Sequence, residues 1–114
     1  VPAVAGLSIR YRRRMHVFQR FGMRTQLMGW DSRFLYIEQG MWRGAECCSH
    51  VLIRFAVTGR DGLIPPADLA AAMDLPADSP ALPGWAAAWI AAEGERPWPP
   101  MPDTAPIAAP AGAA

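Results

Sequence analysis

The stretch GMRTQLMGWDSRFLYIEQGMWRGAE, residues 22–46, alternates apolar and polar side chains, breaks at Gly29-Trp30-Asp31-Ser32, and then alternates again. Period-two alternation on both sides of a turn is the pattern of a β-hairpin. Four strand-length runs can be read in and around this hairpin. Residues 3–14 place Leu7, Ile9 and Tyr11 on one face and Ser8, Arg10 and Arg12 on the other. Residues 19–29 place Phe21, Met23, Thr25 and Leu27 together, and residues 45–58 align Ser49, Val51, Ile53, Phe55 and Val57. Residues 33–42 are apolar on both sides, with Phe34, Tyr36 and Trp42 facing one way and Leu35, Ile37 and Met41 the other. That strand is expected at the centre of a sheet or at an interface, with its Phe34 and Tyr36 side sharing one surface with Leu7, Ile9, Tyr11, Phe21, Met23, Val51, Ile53 and Phe55.

Gly29-Trp30-Asp31-Ser32 and Arg43-Gly44 supply turn formers between these runs. Short connections favour antiparallel neighbours, so the reading is a four-stranded meander in sequential order. After Gly59-Arg60-Asp61-Gly62 the period changes. Pro65 and Pro66 open a helix to about residue 74, and a second spans residues 83–93 with Trp85, Trp89 and Ile90 on one stripe. From residue 95 to 114 prolines and small residues dominate, which predicts an extended or disordered tail after a folded region of residues 1–94.

At 114 residues the chain holds one domain at most, and 52% apolar residues are enough for a core. The net charge is +1, so no overall field points to nucleic acid or an anionic membrane as a partner. The longest apolar run, residues 85–92, is too short to span a bilayer, and nothing reads as a signal peptide. Residue 1 is Val, which predicts a processed chain or a fragment. The only cysteines, Cys47 and Cys48, are adjacent and strand neighbours point apart, so a disulfide between them is disfavoured and a cytoplasmic setting is expected.

Few residues announce chemistry. RYRRRMH carries Arg10, Arg12, Arg13 and Arg14, a set able to hold phosphates or simply to solvate a strand end. Cys47, Cys48 and His50 lack a third ligand or an orienting carboxylate at motif spacing, so neither a metal nor a nucleophile is expected. His16 reads as a surface histidine, Asp31 as a turn residue, and Trp85 and Trp89 as packing. No phosphate-binding glycine loop, zinc motif or serine elbow occurs, and no cofactor is expected.

In order, VAGLSIRYRRRMHVFQRFGMRTQLMGWDSRFLYIEQGMW and the long strand ending RFAVTGRDGLIPP resemble the second half of acyl-CoA thioesterase-like hot-dog proteins of the 4-hydroxybenzoyl-CoA thioesterase type. The resemblance covers residues 3–66 and extends to the helix LPGWAAAWIAAE. It implies an α+β, hot-dog-like antiparallel meander with C-terminal helices, lacking the family's first strand and central helix. A four-stranded sheet with one apolar face needs a cover, and that missing helix would supply it. The resemblance also implies hydrolysis of an acyl-CoA thioester by the intact protein, with the catalytic carboxylate upstream and no catalytic residue assignable here. Tyr11, Arg12 and Arg14 correspond to a stretch near the acyl tunnel and dimer interface. Asp31, Ser32 and Arg33 correspond to a hairpin that contacts coenzyme A. The expected partners are an acyl-CoA substrate and a second copy of the chain, with no nucleic acid and no membrane span. The alternative is a non-catalytic hot-dog module for acyl binding or dimerisation.

Overall fold

The computed structural model describes residues 1–101. The chain divides into two compact units, one of Val1–Pro83 and one that opens at Gly84.

The first unit is built on a sheet. Its strands are β1 (Pro2–Tyr11), β2 (Gly22–Trp30), β3 (Leu35–Arg43), β4 (Glu46–Gly59) and the two-residue β5 (Gly62–Leu63), followed by helix α1 (Pro66–Ala72). All pairings are antiparallel, and the order is β1-β4-β3-β2 with β5 on the end of β4. The sequential order predicted from the connections is therefore corrected. β2, β3 and β4 form the expected meander, but β1 pairs with β4, and β1 and β2 become opposite edges. The premise about connection length fails for residues 12–21. Ten extended residues reach ~33 Å, whereas three strand spacings need only ~14 Å.

The two tight links behave as their residues dictate. Gly44 holds a left-handed φ of 59° in the β3–β4 turn, a conformation that costs glycine little. At β2–β3, Asp31 Oδ1 accepts the backbone N–H groups of Arg33 at 2.9 Å and Phe34 at 2.7 Å, an Asx turn that fixes the reversal.

Register decides which side chains share a face. Leu7 and Ile9 pair with Ile53 and Val51, and Leu35 and Ile37 pair with Phe55 and Ile53. Met23 and Leu27 on β2 lie level with Met41 and Ile37. These residues form one apolar face. Phe34 and Tyr36 were expected on it. Instead Tyr36 pairs with Arg54 on the opposite face, and Phe34 precedes the strand. A shift by one residue exchanges every side chain between faces, and in this strand both phases are apolar, so alternation left the choice open.

The apolar face is open at its edges, where exposure runs from 45% at Ile9 to 60% at Met23. The fully buried strand residues Tyr36 and Leu52 lie on the other side. There the segment after α1 closes on the hairpin: Trp30 N–H donates to Ser79 Oγ at 2.9 Å and Trp30 Nε1–H to Ala77 O at 3.0 Å. Gly29 permits this approach, because a Cβ at that position would stand 2.5 Å from Ser79 Oγ.

The α1 helix begins as predicted, with Pro66 inside its first turn. In the second unit, α2 (Gly84–Gly94) covers nearly the predicted span. Residues 95–101 contain no helix or strand, and the remainder of the predicted tail lies outside the described residues.

Candidate functional site

Tyr11 stands where two depressions meet. On the apolar face an open groove of about 210 Å³ is lined by Ile9, Tyr11, Met23, Met41 and Val51 among others, with no carboxylate in its lining. Beyond the end of β1, a basic depression of about 390 Å³ is lined by Tyr11, Arg12, Arg13, Arg14 and Met15. The bend that creates it depends on a bulge. Trp42 pairs with Cys47 and Met41 with Ser49, which leaves Cys48 as the extra residue. The Cys48 carbonyl then accepts both Arg12 N–H at 2.8 Å and Arg13 N–H at 3.0 Å, ending β1. Arg12 Nη1 also donates to Cys47 O at 3.4 Å. Glu46 meets Arg43 at 2.7 Å and Arg13 at 3.7 Å, all at partly exposed positions where an ion pair contributes little.

Asp31, Ser32 and Arg33 occupy the opposite end of the sheet. Tyr11 is level with Ser49 and the start of β3 with Phe55, six residues along β4, which is ~20 Å at the strand rise. The structure thus brings Tyr11, Arg12 and Arg14 together, and Asp31, Ser32 and Arg33 together, as two separate groups. Ser32 and Arg33 are exposed. Asp31 has both carboxylate oxygens in use, because Oδ2 accepts the Tyr36 hydroxyl at 2.5 Å while Oδ1 holds the turn.

The Tyr36 hydroxyl lies in a cluster that sequence reading did not anticipate. The Arg54 guanidinium sits 4.6 Å from the Phe34 ring centre and 5.6 Å from that of Tyr36. Burial, with the Asp31 hydrogen bond second, pushes the Tyr36 phenol up to about 12 from 10.0, and Arg54 opposes the shift. The native state therefore keeps this proton longer than the unfolded chain. Its contribution to stability is complete below pH 10 and declines as pH rises toward 12. In a Tyr11→Phe variant, which leaves Tyr36 as the sole tyrosine, tyrosinate absorbance should rise near pH 12 in the folded protein and near 10 in denaturant. Coincident titrations would contradict the burial argument.

A second unanticipated group lies on the face of Leu52. Glu38 meets His50 at 3.0 Å and also accepts the Gln26 side-chain amide. Beside it, Trp42 folds over Gly40 with the Arg24 guanidinium 4.3 Å from the Trp42 ring centre, and these residues edge a depression of about 270 Å³. Glu38 and His50 are diagonal cross-strand neighbours. Their twelve-residue separation meant nothing until the register was known. Cys47 and Cys48 are both free thiols. Among the described residues no group of three potential ligands is placed to hold a metal.

An antiparallel sheet with two short helices, and a sequence match over residues 1–90 to the thioesterase-like superfamily, define the class: the chain belongs to that superfamily. A stretch of 36 residues is 44% identical to Protein THEM6 of Xenopus laevis, covering 32% of this chain and 17% of that protein. No solved structure gives a significant match. No helix among the described residues is long and apolar enough to cross a membrane.

Proposed function

We propose that this chain provides the substrate-binding sheet of a hot-dog-type acyl-CoA thioesterase. The observation that carries the reading is at Tyr11, which lines both a mainly apolar groove and a separate arginine-lined depression. That pairing matches a ligand with an apolar acyl chain and an anionic, phosphate-bearing head, and arginine's planar fork suits phosphate oxygens. Membership of the thioesterase-like superfamily supports thioester hydrolysis as the chemistry. The open apolar face is where a covering helix and the acyl chain would pack, and a second copy of the chain completes the assembly.

The resemblance to hot-dog thioesterases implies a carboxylate that activates water or attacks the thioester carbonyl, and N–H donors for the developing oxyanion. The groove supplies no carboxylate, and Asp31 is held in its turn at the far end of the sheet. On this reading, which follows the family resemblance, the catalytic carboxylate is not one of the residues that line this groove. The same observation favours the second reading, a non-catalytic acyl-binding module.

Kinetics of the whole protein separate these readings. Arg12→Gln with Arg14→Gln should raise KM for an acyl-CoA by about tenfold or more, because charged hydrogen bonds to the head are lost. For a thioester lacking the nucleotide, KM should change by less than about twofold. Equal effects on both substrates would remove the arginines from the site. Tight acyl-CoA binding without turnover would establish the non-catalytic reading.

A further inference from the structure

We propose that the β1–β2 loop, residues 12–21, docks on an anionic lipid surface, with Val17 and Phe18 entering the interface and the flanking arginines meeting headgroup phosphates. Exposure is the first observation. Phe18 is 101% and Val17 80% exposed at the tip of the loop. Phe18 also holds a φ of 68°, a left-handed conformation that is unfavourable for a bulky aromatic residue. A short turn imposes it: Gln19 N–H donates to His16 O at 3.3 Å, and His16 N–H donates to Gln19 Oε1 at 3.0 Å. Backbone strain spent on presenting an aromatic ring to solvent points to a function for the ring.

Charge is the second observation, and it is independent of the first. Residues 1–30 hold six of the eleven arginines (Arg10, Arg12, Arg13, Arg14, Arg20 and Arg24) and no acidic residue; the first acid is Asp31. The net charge of +1 conceals this asymmetry. Because β1 ends and β2 begins at the same end of the sheet, the topology gathers these arginines around the loop. Of the two acids on that part of the sheet, Glu46 faces Arg43 and Arg13, and Glu38 faces His50 and Gln26.

Basic side chains around exposed apolar ones characterise a segment that lies in a bilayer interface, where apolar burial and attraction to anionic lipid add. A soluble phosphate ligand would account for the arginines but not for Val17 and Phe18. The loop is continuous through Tyr11 with the apolar groove, so docking would present that groove at the edge of the lipid phase. This surface does not depend on the hydrolytic reading.

Cosedimentation of the chain with vesicles tests the assignment. Binding should occur to phosphatidylcholine vesicles containing phosphatidylserine, weaken with salt, and be absent with phosphatidylcholine alone. Arg13→Gln with Arg20→Gln should lower partitioning by about 25-fold, at about fivefold per arginine. Phe18→Gly should lower it by about tenfold while raising thermal stability, because glycine takes the left-handed conformation without strain. Lost binding in a variant at least as stable as the parent cannot be ascribed to misfolding. Undiminished binding of Phe18→Gly, or equal binding to neutral vesicles, would overturn the proposal. Equally tight binding of single-stranded RNA would reassign the surface to nucleic acid. Hydrolysis of a water-soluble thioester by the whole protein is read separately, so failure of either assay leaves the other intact.

Discussion

Leu52→Ala should destabilise the chain by ~2–5 kcal/mol, the range for removing a fully buried leucine and leaving part of its volume empty. Leu52 has no solvent exposure and lies in β4 between Ser8 and Glu38, so the sheet backbone on both sides restricts collapse into the space. Urea denaturation followed by tryptophan fluorescence gives the value. Ile9→Ala is the matched comparison. Ile9 is 45% exposed on an edge strand of the apolar face, and its truncation should cost about 1 kcal/mol or less. A loss at Ile9 equal to that at Leu52 would show that the apolar face is closed in solution, and would contradict the open groove at Tyr11.

Asp31→Ala should cost ~2–4 kcal/mol, because it strands several partners at once. The N–H groups of Arg33 and Phe34 lose their acceptor, and the buried Tyr36 hydroxyl loses its own. Asp31→Asn keeps an oxygen for the turn and places an amide beside the phenol oxygen, so it should cost less than half as much. The pair of variants separates two roles for this residue. A brace loses stability in proportion to its lost hydrogen bonds. A catalytic acid or base would leave stability nearly intact in Asp31→Asn and abolish turnover in the whole protein.

Residues 31–33 illustrate how far sequence carried the site. Gly, Trp, Asp and Ser between two alternating runs marked a hairpin, and the Asx turn follows from the reach of an aspartate side chain to N–H groups two and three positions on. That Asp31 also receives a phenol required Tyr36 to point toward it, which depends on the phase of β3. Likewise, the cluster of arginines after Tyr11 was visible as text. Its separation of ~20 Å from Arg33 follows from pairing, since β4 is the ruler against which both ends are placed.

Local chemistry determined the existence and type of the elements: period-two alternation for four strands, glycine and aspartate for two turns, prolines for the start of α1. These signals act within a few residues, so one chain segment suffices to read them. The sheet order, the outward face of β3 and the Glu38–His50 pair were decided by tertiary structure. A ten-residue link permits either neighbour for β1, and what selects β4 is the match of Leu7 and Ile9 with Ile53 and Val51 across the sheet. Phe34 and the ring of Tyr36 offer large hydrophobic surfaces on one side of β3 as Leu35 and Ile37 do on the other, so hydrophobicity alone left the phase of β3 open. The pairing of Tyr36 with Arg54, and the closure of Ser79 over Gly29, accompany the phase the strand adopts, and those contacts come from residues 18 and more positions away in the chain.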